Sequence, residues 1–174
     1  VDRSPSLRNV ASRALWAMQR ITPFLWFDNQ AEEAAKFYVS VFKNSKIKAV
    51  THYTGAEPAE RKGQVMTVSF ELDGEEFVAL NGGPQFKFTE AVSFVINCET
   101  QEEIDYYWEK LTANGGEEVQ CGWLADKYGL SWQVVPTKFF DEWVKDAAGL
   151  QRVMHEVMQM VKLDLATMQK AFEG

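Results

Sequence analysis

Two histidines and two cysteines are all that this 174-residue chain offers as imidazole base, thiol nucleophile or thiolate metal ligand. His52 falls in a strand-like stretch beside a polar loop, and His155 falls in a methionine-rich helical one. Neither belongs to an HExxH helix or a recognisable catalytic triad, so packing or surface roles suit both better. Cys98 and Cys121 have no metal-ligand spacing and form no disulfide framework, which is the pattern of a reducing cytoplasm. Cys121, directly before Gly122-Trp123, is the one candidate nucleophile. A reactive thiol needs a cation or a helix start beside it. Lys127 is near in sequence, but an inert thiol behaving as a small hydrophobe is the simpler reading.

Composition narrows the partners. Hydrophobic residues make up 46% of the chain, enough for a packed core, and aromatics reach 13%, which suits a sheet core or an apolar cup. The formal net charge is -7. Because Asp2 meets four arginines in the first twenty residues (Arg3, Arg8, Arg13 and Arg20), the remainder is more acidic still. Such a body repels phosphate backbones, which argues against nucleic acid. No apolar run has the roughly 18 residues needed to span a bilayer. Residues 1–17 read as a disordered leader or remnant ahead of a natural start at Met18, with a faint likeness to an organelle transit peptide.

The elements that must position any site appear twice. Ile21–Phe27 reads as a buried strand, and Ala31, Ala34, Ala35, Tyr38, Val41 and Phe42 recur at helical spacing, with Asn29 as the expected cap. Lys46–Thr54, Gln64–Leu72 and Glu76–Asn81 read as strands, the last two joined by an Asp73-Gly74 hairpin turn. Ala91–Asn97 then reads as a strand, and Thr100 with Glu103 as a capping box opening a second helix. Glu118–Gly122, Trp123–Asp126 and Leu130–Val135 follow as short strands. LDGEEFVAL and KYGLSWQVV align on Gly74 and Gly129, a period of about seventy residues, so each copy is half a domain. A ferredoxin-like pair shares this order of elements. Residues 137–174 add helices outside the repeat, with Phe139, Phe140, Trp143 and Val144 in one apolar stripe. Val153, Met154, Val157, Met158, Val161, Leu165 and Met168 form a longer one, suited to the sheet or a dimer mate.

ITPFLWFDNQAEEAAKFYVSVF, FELDGEEFVALNGGPQFKF and CGWLADKYGLSWQVVP together resemble the PhnB-like, 3-demethylubiquinone-9 3-methyltransferase-like group of the glyoxalase/bleomycin-resistance (vicinal oxygen chelate) superfamily. The resemblance runs from about Ile21 to the last helices. It implies an α+β fold over 18–136 with 137–174 as an extension: two βαβββ modules, about 21–83 and 91–136, curving as a mixed sheet around one shared cup. It also implies a homodimer. The methyltransferase name meets a physical objection. Cofactor turns of the Rossmann type need glycines after the first strand, whereas the chain has no G-x-G and that strand ends in Asp28-Asn29-Gln30.

The superfamily's metal, held by His and Glu from both modules, acts as a Lewis acid on substrate oxygens. Carried over, its positions fall near Thr22, Ser93, Val78 or Ala79, and Gln133, the last within Asp126-Lys-Tyr-Gly129-Leu-Ser-Trp-Gln133. These neutral residues are poor transition-metal ligands, so no resident cofactor is expected and a divalent metal is disfavoured. Strand alternation groups Thr22, Phe24 and Trp26, and likewise Ser93, Val95 and Asn97. With Asn81 at an exposed turn, Phe86 and Phe88 as a lid, Trp123 and Gln133, they make a neutral, aromatic-lined site for a small molecule. The same residue types could instead fill a closed core. An enzyme acting on a small oxygenated substrate through a weak metal site is the other functional class.

Overall fold

A computed structural model describes residues 19–174, and the leader expected over 1–17 lies outside them. The chain divides into two compact units on either side of the Gly83–Pro84 bond.

The first unit runs β1 (Phe24–Phe27), α1 (Ala31–Val41), β2 (Lys46–His52), β3 (Val65–Leu72) and β4 (Glu75–Asn81). Its sheet has the order β1-β4-β3-β2, with β1 parallel to β4 and the other neighbours antiparallel. Three alanines on α1 (Ala31, Ala34 and Ala35) are fully buried beside Tyr38 and Val41. Small side chains let a helix approach a sheet closely, and here the covered face carries Leu25, Phe27, Val68, Phe70, Leu72, Phe77 and Ala79, all buried. Tyr38, Phe70 and Phe77 stack in series, with ring centroids 6.2 and 5.6 Å apart. Asp73 (φ 48°) and Gly74 (φ 88°) make the two-residue turn pairing Leu72 with Glu75, as the sequence predicts.

The second unit repeats the order: β5 (Ser93–Asn97), α2 (Gln101–Thr112), β6 (Glu117–Glu118), β7 (Trp123–Ala125) and β8 (Ser131–Val135). Its strands run β5-β8-β7-β6, with β5 parallel to β8. Each module therefore closes its own four-stranded sheet by the same parallel pairing of first and last strands. That doubled βαβββ arrangement is the α+β glyoxalase/bleomycin-resistance class, and the ferredoxin-like alternative does not hold. Ile104, Trp108 and Leu111 of α2 are buried on the face that carries Ile96, Leu124, Trp132 and Val134.

Several boundaries differ from the sequence reading, each for a physical reason. β1 starts at Phe24 because Pro23 has no amide to donate, although its carbonyl still accepts from Val78 N (3.0 Å). Asn29 does not cap α1: Gln30 holds the cap position without a side-chain bond, and Asn81 Oδ1 accepts from Ala31 N at 2.8 Å. Thr100 does cap α2 by accepting from Glu103 N, while Glu103 reaches one residue further back, to Glu99 N. The strand expected over 118–122 shrinks to Glu117–Glu118. Cys121 N and Gly122 N instead donate to Met160 O and Val161 O, both at 2.8 Å.

Those two bonds help seat the helices α3 (Thr137–Trp143), α4 (Ala147–Val157) and α5 (Leu165–Glu173) on the second module. Gln101 joins them, donating to Leu163 O and accepting from Leu165 N. Trp143, Val153, Val157, Leu163, Leu165 and Met168 form one buried cluster, with Phe139 and Phe140 packed against it. The long apolar stripe is split: Met154, Met158 and Val161 stay 40%, 61% and 41% exposed. Adjacent residues on a helix point about 100° apart, so Val153 and Met154 cannot share one face. No described helix is long and apolar enough to cross a membrane.

The turn between β7 and β8 rests on Asp126, which is 3% exposed. Its Oδ1 accepts from Tyr128 N (2.8 Å) and Leu130 N (3.1 Å), and its Oδ2 from Trp132 Nε1 (2.9 Å). Asp126→Ala should strand three donors, two of them buried, and lower stability by about 3 kcal/mol in urea unfolding, with Asp126→Asn costing less. A change below about 0.5 kcal/mol would show that the turn does not depend on this carboxylate.

Candidate functional site

In each module one sheet face is covered by a helix, and alternation sends every second side chain to the other, open face. In the first unit, Phe24, Val78 and Ser69 form one cross-strand row of that face, and Trp26, Leu80 and Thr67 the next. Phe24 is 59% exposed, while Trp26 is half-buried and fixed, its indole Nε1 donating to Gly83 O at 2.8 Å. A Cβ on Gly82 would lie 2.2 Å from the Trp26 ring, so the glycine admits the indole. Thr22 lies two residues ahead of β1 and is half-buried. Of the two residues at the carried-over Glu position, Val78 is on the open face and Ala79 is fully buried on the helix side.

In the second unit the open face carries Ser93, Val95 and Asn97 of β5, Gln133 of β8 and Trp123 of β7. Val95 and Trp123 both stand opposite Gln133 in the register. Gln133 Nε2 donates to Ser93 Oγ at 2.9 Å, so two carried-over metal positions of this module bond to one another. Asn97 Oδ1 accepts from Thr137 Oγ1 at 2.5 Å. Phe86 (64% exposed) and Phe88 (half-buried) belong to the irregular stretch that follows Pro84.

Asn81 has a different task from the one its position suggested. Besides accepting from Ala31 N, its side chain donates to Val65 O (3.1 Å), so both ends of the amide are engaged within the fold. Its backbone carbonyl accepts from Tyr53 Oη (2.5 Å) and Arg61 Nη1 (3.0 Å). In the sequence Tyr53 reads only as a residue of the Lys46–Thr54 strand, and nothing singles out Arg61. An arginine in a polar loop carries no motif, and only the fold brings it to the end of β4.

Among the described residues no group of three or more His, Cys, Asp or Glu side chains could hold a metal ion. The donors at the carried-over positions do not fit a catalytic metal either: an alcohol and an amide supply neither imidazole nor negative charge. A larger groove of about 860 Å3 lies along α4 and α5, where Met154, His155, Met158 and Lys170 line it. It lies on the helical extension and reaches none of the residues of the open sheet face.

With this geometry in place, known proteins supply a lineage. The model of the family described as 3-demethylubiquinone-9 3-methyltransferase matches residues 19–135. The chain belongs to that family. A PhnB protein from Bacillus cereus bearing the same description is 38% identical; the alignment covers 67% of this chain and 98% of that one, with a TM-score of 0.60. A Pseudomonas aeruginosa protein at 20% identity, covering 67% of this chain and 96% of its own, shares the fold with a TM-score of 0.57. None of the curated proteins matches.

The two thiols differ in surroundings. Cys98 is fully buried, and burial, followed by the nearby Glu103 carboxylate, pushes its pKa up to about 12. Cys121 is partly exposed at φ 62°, with its sulfur 3.7 Å from the Met158 sulfur. An aromatic disulfide reagent at pH 8 should therefore find one thiol in the native protein, and none in Cys121→Ser. Cys98 should react only after unfolding in urea; prompt reaction of both would contradict its burial.

Proposed function

We propose that this family member binds a small, neutral, partly aromatic molecule on its open sheet faces, without a tight catalytic metal. The observation that carries the reading is the hydrogen bond between Ser93 and Gln133 at positions where the superfamily's ligands would fall. That one bond leaves the Ser93 hydroxyl proton and the Gln133 carbonyl oxygen as neutral hydrogen-bonding groups, and Trp123 and Val95 beside them offer apolar surface. Phe24 and a fixed Trp26 offer the same kind of surface in the first module. Thr22, Phe86 and Phe88 remain contributors in this proposal, while Asn81 acts through the backbone it organises.

Methyl transfer is not part of it. The loop after β1, Asp28-Asn29-Gln30, has no glycine to admit a nucleotide-type cofactor, and the Ala31 amide is already bonded to Asn81. Unbridged Cys98 and Cys121 support a reducing, cytoplasmic setting. Exposed Met154, Met158 and Val161 supply the apolar surface for the proposed homodimer, which a monomer mass by light scattering at micromolar concentration would remove.

Thermal denaturation against a library of neutral aromatic and carbonyl compounds tests the binding reading. A ligand at a hundred times its Kd should add about 2.7 kcal/mol, and Gln133→Leu or Trp123→Ala should weaken it about tenfold. Stabilisation by divalent metal salts instead would favour a glyoxalase- or dioxygenase-like enzyme on an oxygenated substrate. No stabilisation by any compound would overturn the proposal.

A further inference from the structure

A second site lies in the first module, at the end of the sheet where β1 passes into α1. There, a cavity of about 420 Å3 is lined by Asp28, Asn29, Glu32, Arg61, Gln64 and Asn81. Its size is within the roughly 300–1,000 Å3 of small-ligand pockets. Apart from Val65 its walls are polar and charged, unlike the open face that carries Phe24 and Trp26.

Arg61 is held in place with most of its hydrogen-bonding capacity unspent. Its Nη1 donates to Tyr53 Oη (3.1 Å) and Asn81 O (3.0 Å), and its guanidinium carbon lies 5.5 Å from the Tyr53 ring centroid. Nε and Nη2 bond to no described residue, and no described carboxylate pairs with this arginine. A guanidinium fixed along one edge presents the donors that suit a carboxylate. Glu32 in the same wall is neutralised by Lys36 at 2.6 Å. Asp28 has no such cation, and its side chain bonds to no described residue. The cavity thus presents one positive and one negative group that the fold has not matched to each other.

We infer that this cavity binds a free α-amino acid, with the carboxylate on Arg61 and the ammonium group on Asp28. A simple anion would meet the uncompensated Asp28 carboxylate, and a simple cation would meet Arg61. A zwitterion satisfies both without adding net charge to the pocket. The Asn29 and Gln64 amides supply further neutral hydrogen-bonding groups in the walls.

The test titrates each of the twenty L-α-amino acids into 15N-labelled protein, with N-acetyl and carboxamide forms as controls. At least one free amino acid should shift the Arg61 Nε–H resonance saturably, with a Kd below about 1 mM. Both blocked forms should bind about tenfold more weakly or worse. Asp28→Asn and Arg61→Lys should each weaken binding by a similar factor, while Gln133→Leu, which tests the open face, should leave it unchanged. If Arg61→Lys disturbs the fold, Asp28→Asn decides alone, because that side chain supports no described bond. The inference is overturned if no amino acid binds at about 20 mM, if an N-acetyl form binds as tightly as the free one, or if Asp28→Asn binds unchanged or more tightly.

Discussion

The parallel pairing of first and last strands, β1 with β4 and β5 with β8, governs what each module can do. A parallel pair needs a crossover, and here the crossover contains a helix that seals one face of its sheet. Apolar positions on that face are committed to the core, as the burial of Phe70, Ala79, Trp132 and Val134 shows. Chemistry or binding is left to the alternate positions and to the strand ends. Phe24, Trp26, Ser93 and Gln133 are all alternate positions of this kind, and Asn81 is a strand end.

The open face then sets a chemical limit. Duplication of a βαβββ unit gives equivalent positions in two modules, where the resemblance implies His and Glu ligands for one cation. In this chain the second module's pair, Ser93 and Gln133, forms a neutral hydrogen bond, and the first module's open-face position is Val78. The neutral side chains at the strand centres are the ground for the metal-free binding proposed above. The arginine of the β2–β3 loop is likewise positioned by a strand end, because Tyr53 and Asn81 hold it at the end of the sheet.

Local chemistry was readable in the sequence wherever a few neighbouring residues decide it. The Asp73-Gly74 turn, the Thr100 cap and the alternation of β1 and β5 depend on nothing distant, and the repeat on Gly74 and Gly129 gave the doubled order. The bonds of the Asn81 side chain were not legible because its partners are Ala31 and Val65, fifty and sixteen residues away. The shortened β6 was invisible for the same reason: its continuation is replaced by bonds from Cys121 and Gly122 to Met160 and Val161. The split of the methionine stripe also escaped, since helical spacing identifies a broad apolar surface and not which edge of it the neighbours cover. Arg61 and Asp28 belong to no motif, and only the cavity brings them together.

The account stands or falls on the neutrality of the strand centres. Its most direct test is the metal content of untagged protein, prepared without chelator and measured by mass spectrometry. The account predicts less than about 0.1 equivalent of zinc, nickel or manganese per chain, unchanged in Gln133→Leu. About one equivalent, lost in that variant, would contradict it.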